Sequence, residues 1–442
     1  MNSDAAVNPD TLPCVQPVDR EIWRLSAATF VALVAEPLLL LADAAIVGHL
    51  GTTQLAGLGI ATAVLGTVMS LSIFLAYGTT AGVSRLTGAG RSREAFALGT
   101  SGIWLAVLLG AGLTALGLLA NDSIVGWFGA EAAVNAQATA YLQISWLGSI
   151  PMLVILAATG VLRGVKDVRT PMLVAVGINL ANIALNVFFV HGLGLGIRGA
   201  ATGTVTAQFL AAAVLTVAVA RRARRAGTPL RPDRRGIRTV ARAGVPLIVR
   251  TLLLRLALLL MTWRATSYGA PELATLQVAM TLWTFLAFCL DALGISAQTL
   301  VGTELGARRR DLARKLTNRL IGWSLALGVV LGLGIAATAP HLGVLFSNDP
   351  QVHELLTPTV LVAALAQPIA GVVFVLDGIL IGAGDTVYLA WGHAAVLLAF
   401  APMAVLAPDL IWLWVAFGVG FMGSRAVMLL WRVRTDRWLI RH

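Results

Sequence analysis

An aspartate interrupts one of the most apolar stretches of this chain of 442 residues. Asp43 lies within the run LLLLADAAIV at 38–47, in which every other side chain is apolar. A carboxylate in lipid surroundings is costly, so residues of this kind mark proton or ion sites. Its easiest response to a dry environment is to take up a proton. The pattern therefore favours a role for Asp43 in coupling proton or cation movement to another process.

Pro37 and Glu36 precede Asp43 in the same predicted span and could affect its environment. Pro37 removes a backbone hydrogen bond and bends a helix, so it predicts either a hinge that responds to the charge on Asp43 or a static kink. Glu36 is a second carboxylate in apolar surroundings. We expect it either to meet a cationic ligand in a cavity or to pair with an arginine.

The composition indicates an integral membrane protein. Hydrophobic residues make up 58% of the chain, charged residues only 12%, and the mean hydropathy is +0.84, whereas soluble domains carry about 25% charged residues. Apolar runs of about 20 residues recur along the whole length, as in membrane-spanning helices. The predicted spans are 25–48, 55–82, 95–120, 136–162, 170–191, 198–220, 245–267, 274–302, 318–339, 357–381, 388–406 and 411–431.

The basic residues predict the orientation of these spans. Most of the 32 Lys and Arg residues fall in alternate short segments, above all in the connector 221–242, while the intervening loops are mainly acidic. The positive-inside rule then places both termini in the cytoplasm, and residues 1–20 do not resemble a signal peptide. The net charge of +11 follows from this distribution and does not indicate nucleic-acid binding. The connector is either a solvated charge run or a contact for lipid headgroups.

The chain repeats itself at a constant offset of 218 residues. The matching pairs are Gly88-Ala89 with Gly306-Ala307, Phe128 with Phe346, and the pattern Gly160-x-Leu-x-Gly-x-x-Asp167 with Gly378-x-Leu-x-Gly-x-x-Asp385. Six spans per repeat give both halves the same orientation, an arrangement known in transporters. We therefore divide the chain into a cytoplasmic tail 1–24, a six-helix lobe 25–220, a basic cytoplasmic connector 221–244, a second lobe 245–431 and a cytoplasmic tail 432–442.

The second lobe carries charges within its spans. Arg255 and Asp291 lie at one depth, and Arg250, Asp377 and Arg425 lie at another. Equal depth favours ion pairing, because an unpaired charge in the membrane is costly. The alternative is that Asp291, Asp377 and Arg255 face a substrate cavity, or that one of the aspartates binds a second proton.

Three sets of motifs occur at characteristic spacings. They are Pro37-Leu38-x-x-x-x-Asp43-x-x-x-x-Gly48-His49-Leu50-Gly51, then Asn182-x-x-x-Asn186 with Gly192-Leu193-Gly194 and Gly199-Ala200-Ala201-Thr202, and Leu376-Asp377-Gly378-Ile379-x-x-Gly382-Ala383-x-Asp385-Thr386. They resemble the first, the fifth and sixth, and the tenth helices of the multidrug and toxic compound extrusion (MATE) family, and the last set has the form typical of its DNA-damage-inducible F (DinF) branch. Their order and spacing span nearly the whole chain.

The resemblance implies an all-α integral membrane protein with twelve transmembrane helices, in two pseudo-symmetric six-helix lobes around a central cavity. It further implies a secondary antiporter rather than an enzyme, which exports organic, often cationic, compounds on a proton or sodium gradient. We accordingly expect a monomer of the plasma (inner) membrane, without a cofactor or nucleic-acid partner, that contacts small organic substrates and membrane lipid.

Carried over by the same resemblance, the cation site of the N-terminal lobe consists of Asp43, Asn182, Asn186 and Thr204. The depths of Asp43, Asn186 and Thr204 agree, because all three lie in the outer half of their spans at about 1.5 Å rise per residue. Asn182 lies one turn deeper than Asn186 on the same helical face. The alternative is ordinary interhelical hydrogen bonding. Many members have a second aspartate where this chain has Asn186, and a single carboxylate favours protons over sodium.

Four other functions stay open at this point. They are a sodium-coupled drug antiporter, a flippase for lipid-linked precursors in which Arg255 and Arg264 reach the phosphate, an intramembrane enzyme and a non-transporting sensor. An enzyme would need a converging acid/base or metal set, and the sequence contains no such pattern. It also contains no nucleotide-binding loop, so we expect an ion gradient to supply the energy.

Overall fold

The computed structural model describes residues 16–346 and 349–439, a part of the chain that is almost entirely helical and has no strand. Twelve of its helices are long and apolar enough to cross a membrane. They are α1 Val18–Gly48, α2 Thr52–Gly88, α3 Ser92–Gly126, α4 Ala132–Gly164, α5 Arg169–Gly192, α6 Gly196–Arg225, α7 Arg234–Thr266, α8 Ala270–Gly306, α9 Arg310–Gly343, α10 Pro350–Gly382, α11 Thr386–Leu406 and α12 Leu410–Arg434. The expectation of an all-α protein with twelve transmembrane helices is confirmed.

The helices extend past the predicted spans, most of all at the start of α7. This helix begins at Arg234, where the Asp233 side chain caps it by accepting hydrogen bonds from the backbone amides of Arg235 and Gly236. Arginine is a good helix former, so much of the basic segment 221–244 continues α6 and α7, and only residues 226–233 lie between the two helices. We call the end of the bundle with this turn the connector end, and the opposite end the far end.

The outside of the bundle is apolar. Large hydrophobic side chains such as Leu38, Leu119, Leu180 and Leu398 are exposed on helices from both halves. Helices satisfy their own backbone hydrogen bonds, which a lipid surrounding requires. Together with the lengths of the helices, this surface identifies a multi-pass membrane protein.

The two six-helix lobes, α1–α6 and α7–α12, are related by pseudo-symmetry. A Cβ atom added at Gly88 would lie 1.9 Å from the carbonyl oxygen of Thr303, and one added at Gly306 would lie 1.9 Å from the carbonyl oxygen of Arg85. Each residue of the first contact is 218 positions from its counterpart in the second. The repeat found in the sequence therefore reappears as a pair of equivalent contacts between the lobes.

These contacts close the connector end of the interface between the lobes. α2 and α8 approach so closely there that both Gly88 and Gly306 lack room for a side chain. The Arg85 guanidinium donates to the carbonyl of Gly382 at 3.1 Å, and the Gln298 side chain donates to the carbonyl of Tyr77 at 2.6 Å. At the connector end, the backbones of the two lobes therefore pack directly against each other.

Candidate functional site

A hydrogen-bonded row of three side chains connects α1 to α5 in the first lobe. The Asn186 amide nitrogen donates to Asp43 Oδ1 at 2.6 Å and to Asn182 Oδ1 at 2.8 Å. Asn182 and Asn186 are one helical turn apart, so they lie on the same face of α5. All three side chains are buried, with Asp43 at 5% exposure and Asn186 at 0%. The structure therefore brings together Asp43, Asn182 and Asn186.

Thr204 belongs to the same group, together with Tyr141, a residue that the sequence analysis missed. Tyr141, Ser145 and Thr204 line the same cavity as Asp43 and Asn182, and the hydroxyl oxygens of Ser145 and Thr204 have no hydrogen-bond partner among the described residues. Tyr141 lies on α4, and its ring is buried. Its depth in the membrane was a usable signal, because Tyr141 is near the outer end of its predicted span, as Asp43 is.

The packing of α6 against Asn186 depends on a second overlooked residue, Gly203. A Cβ atom at this position would lie 2.0 Å from Asn186 Oδ1 and 3.0 Å from the Asn186 backbone nitrogen. That amide oxygen is buried and has no hydrogen-bond partner among the described residues. Glycine thus leaves room for the amide, whose free oxygen is available to a donor that reaches the site.

Irregular turns flank these residues on both helices. α5 ends in a π-helical segment, Phe188–Gly192, directly after the turn that carries Asn186. α4 passes through a 3₁₀ turn at Trp146–Gly148, directly after Ser145. Such departures from regular helix are frequent at functional sites. Here one follows Asn186 and the other follows Ser145, a residue that lines the cavity.

The row borders a cavity of about 360 Å³. α1 presents two of its four carboxylates to this space, since Glu36 and Asp43 are seven residues apart on one face of the helix. Glu36 forms no ion pair with any residue that the structure describes. Of the two alternatives for Glu36, the structure favours the one in which it faces a cavity.

The inner part of the cavity is polar and is shared between the lobes. Asp291, on α8, accepts a hydrogen bond from the Tyr77 hydroxyl at 3.0 Å. Arg163, at the connector end of α4, is buried and lines the same space. The helical Cα–Cβ bond tilts towards the N-terminus, which directs Arg163 from the end of α4 towards the cavity. The cavity therefore has carboxylates along α1 and an arginine at its inner end.

Pro37 lies inside α1, between the two cavity-facing carboxylates. The Asn179 amide of α5 donates to the carbonyl oxygen of Ala35 at 2.7 Å. A proline leaves the preceding turn with one backbone hydrogen bond fewer. The contact from Asn179 thus holds α1 against α5 in the segment where the helix itself is weakest.

Asp377 forms a buried cluster in the second lobe and does not line the cavity. Its carboxylate accepts hydrogen bonds from Arg250 and from Arg425, the latter at 2.7 Å, and His393 Nε2 lies 3.9 Å away. The predicted association of Arg250, Asp377 and Arg425 is confirmed. Two guanidinium groups pair with the Asp377 carboxylate, so the structure favours ion pairing over the alternative in which Asp377 faces a substrate cavity.

The expected pair between Arg255 and Asp291 is wrong. The Arg255 guanidinium donates to the Ser70 hydroxyl on α2, is exposed, and does not line the cavity. Five residues rotate a helix by about 140° beyond one full turn, so Arg255 leaves α7 on a different face from Arg250. Depth alone could not reveal this, because it fixes the height of a side chain and not its direction.

The first-lobe site combines one carboxylate with amide and hydroxyl groups in a buried setting. Such a set holds a proton or a small cation through oxygen atoms. No group of three or more His, Cys, Asp or Glu side chains suited to a metal ion occurs within residues 16–346 and 349–439. The chemistry available at Asp43 is thus reversible loss and gain of charge next to a cavity.

Comparison with known proteins gives a consistent result. The family model described as MatE matches residues 28–188 and 246–405, and the two matches begin 218 residues apart. Protein DETOXIFICATION 44, chloroplastic, from Arabidopsis thaliana is 28% identical over 443 residues, which cover 96% of this chain and 84% of the relative. DNA damage-inducible protein F from Escherichia coli is 27% identical over 428 residues, with coverages of 94% and 92%.

Solved structures share the fold. The Vibrio cholerae MATE transporter VcmN in its bent form superposes with a TM-score of 0.88 at 19% sequence identity, over 96% of this chain and 99% of that chain. At this level of identity the likeness concerns the architecture. It agrees with two pseudo-symmetric lobes of six helices each.

Proposed function

Because this chain belongs to the MatE family of membrane transporters, we propose that it is a secondary antiporter that exports organic cationic or amphipathic compounds in exchange for protons. The observation that carries this proposal is the hydrogen-bonded row from Asp43 to Asn186 and Asn182 beside the cavity. Asp43 is the group that takes up the coupling proton. Asn182, Asn186 and Thr204 position it.

The proton acts by changing what Asp43 offers to its partners. As a carboxylate, Asp43 accepts the hydrogen bond of the Asn186 amide. When protonated, Asp43 becomes a hydrogen-bond donor. The Asn186 amide can then rotate and present its free Oδ1 as the acceptor. Proton uptake therefore rearranges the contact between α1 and α5, next to the weak segment at Pro37.

Substrate and proton oppose each other through charge. A cationic compound in the cavity is stabilised by the carboxylates of Glu36 and Asp43, and protonation of Asp43 removes one of them. Exchange requires that the two ligands compete or favour different conformations. In this scheme uptake of the proton lowers the affinity for substrate and releases it.

The direction of transport follows from the orientation of the lobes. We place the protein in the plasma (inner) membrane with the connector end in the cytoplasm, since arginines concentrate at that end. Asp43 then lies in the outer half of the membrane, where protons enter. A membrane potential supplies about 2.3 kcal/mol per charge per 100 mV, and a pH difference adds to it.

The test is drug efflux in everted membrane vesicles. Asp43→Asn keeps the size of the side chain but cannot be protonated, so we expect gradient-driven transport to fall at least tenfold. Asp122→Asn is the matched control, because Asp122 is exposed and outside the cavity, and it should transport like the wild type. Unchanged transport by Asp43→Asn would refute the proposal.

The coupling ion is tested in proteoliposomes with the pH and sodium gradients varied separately. One carboxylate with neutral oxygen ligands provides little charge to hold sodium, so we expect a pH gradient alone to drive transport. Dependence on sodium at fixed pH would replace the proton by sodium in this scheme.

A further inference from the structure

A second cavity, of about 480 Å³, lies in the first lobe at the connector end and takes no part in the transport scheme. Its wall is made by the start of α1, the ends of α2 and α6, the loop between α4 and α5, and the starts of α3 and α5. We call it the basic pocket. Its charged lining residues are Arg24, Lys166, Asp167, Arg169 and Arg222.

Two of its four cationic side chains already have partners. Lys166 Nζ lies 2.9 Å from Glu21 Oε1, and Arg222 donates to the Asp167 carboxylate. Arg24 and Arg169 are exposed at the pocket and form no hydrogen bond or ion pair with any described residue. The pocket thus has positive charge that its own carboxylates do not balance.

Neutral donors in the same pocket lack acceptors. The Thr87 hydroxyl lines it, is buried, and has no hydrogen-bond partner among the described residues. Ser92 also lines it and is the first residue of the 35-residue helix α3, whose start is not capped by a side chain. The amides of a first helical turn lack internal acceptors and carry partial positive charge. Free guanidinium groups, a free hydroxyl and a helix start together suit a phosphate group.

The surroundings of the basic pocket are apolar. Trp23, next to Arg24, is 64% exposed, and tryptophan is typical of the boundary between lipid and water. Leu173 is 65% exposed and lies one turn beyond Arg169 on the same face of α5. A ligand in the pocket therefore lies next to surface that lipid chains cover, which favours a lipid over a soluble anion.

We propose that the basic pocket binds the phosphate headgroup of an anionic phospholipid, with its acyl chains along the surface that includes Leu173. Arg24 and Arg169 supply the charge, and Thr87 donates a hydrogen bond. Because these residues come from α1, α5 and α2, the bound lipid holds the start of α1 against the rest of the lobe. This site is separate from the one at Asp43, and its existence does not depend on the transported compound.

The experiment uses purified full-length protein in a neutral detergent. Dioleoyl phosphatidylglycerol, dioleoyl phosphatidylcholine and inorganic phosphate are titrated in separate series, and binding is measured by native mass spectrometry and by the midpoint of thermal unfolding. We expect phosphatidylglycerol to bind at least tenfold more tightly than phosphatidylcholine. Inorganic phosphate at millimolar concentration should give only a small part of the stabilisation.

Matched variants assign the lipid to the pocket. In Arg24→Gln with Arg169→Gln the preference for phosphatidylglycerol should fall below threefold. Arg221→Gln with Arg225→Gln removes the same charge from exposed positions outside the pocket and should keep the preference. Thr87→Val tests the site without a change in charge, and we expect severalfold weaker binding of phosphatidylglycerol.

Three results would overturn the proposal. If both double variants lose the preference for phosphatidylglycerol equally, the lipid is attracted to the basic surface in general and not to the pocket. Equal affinity for the two lipids would remove the role of net charge. Full stabilisation by inorganic phosphate alone would make the ligand a soluble anion instead of a lipid.

Discussion

The Asn186 side chain donates to Asp43 at 2.6 Å and to Asn182 at 2.8 Å through the same amide nitrogen, while its oxygen has no partner among the described residues. Asn186 thus uses both of its donor hydrogens on other side chains. Asn186 lies between Asp43 of α1 and Gly203 of α6, so in the proposed transport scheme a change of charge at Asp43 acts first on this amide.

Asn186→Asp should introduce dependence on sodium. The variant places a second carboxylate against Asp43, and two carboxylates at this distance cannot both be ionised without a compensating cation. We expect sodium to stimulate efflux by the variant at least threefold at fixed pH, with little effect on the wild type. Asn186→Leu, which removes the amide without adding charge, serves as the control and should lose transport without gaining sodium dependence. A variant insensitive to sodium would show that the site cannot take the ion even with the added charge.

Gly203→Ala should impair transport. The added methyl group would lie 2.0 Å from Asn186 Oδ1, so the amide must move and its contact with Asp43 weakens. We expect about a tenfold lower rate of efflux, measured in vesicles at matched protein levels. Gly177→Ala is the control, because a Cβ atom at Gly177 of α5 meets nothing within 4 Å. Equal rates for the two variants would mean that the position of the Asn186 amide does not matter.

The charged cluster of the second lobe should contribute to stability. Asp377→Asn leaves the buried Arg425 and the largely buried Arg250 without their counterion, and breaking a buried ion pair in this way costs about 3–5 kcal/mol. We therefore expect a large drop in the midpoint of thermal unfolding in detergent. The control, Asp436→Asn, breaks the exposed pair with Arg314, which is worth about 0–1 kcal/mol. If Asp377→Asn unfolds like the wild type but fails to transport, Asp377 has a direct role in transport instead.

Much of the architecture was predictable because membrane helices follow simple rules. Length and hydropathy set the number of spans, and the offset of 218 residues revealed the pairing of the lobes, which Gly88 and Gly306 then express as equivalent contacts. Depth along the helices was enough to bring Asp43 and Asn186 to one height. The association of Arg250 with Asp377 followed from the cost of an unpaired charge in lipid.

Other features depend on the direction in which a side chain leaves its helix. The depth of a residue in the membrane does not specify this direction. Arg255 lies at the height of Asp291 but leaves α7 towards Ser70. Tyr141 and Gly203 were missed because neither is charged, and the fold alone shows that Tyr141 lines the cavity beside Asp43 and that Gly203 packs against the Asn186 amide. The helical start of α7 was missed because its arginines interrupt the apolar pattern that marks a span.

Gly88→Ala should open the connector end of the interface between the lobes. The added Cβ atom would lie 1.9 Å from the Thr303 carbonyl oxygen, and backbone atoms on both sides cannot yield as a side chain would. We expect the lobes to separate there, so that a cysteine introduced at the buried position Ser84 reacts several times faster with a membrane-impermeant thiol reagent. The measurement uses a background in which Cys14 and Cys289 are replaced by serine.

The control for this opening is Gly59→Ala, on the far-end half of the same helix α2, where a Cβ atom meets nothing within 4 Å. It should leave the reactivity at position 84 unchanged. Because the lobes are pseudo-symmetric, Gly306→Ala creates the equivalent conflict with the Arg85 carbonyl oxygen and should raise the reactivity to a similar extent. An increase in only one of the two glycine variants would indicate local distortion of one helix, whereas an increase in both is expected if the two contacts together keep this end closed.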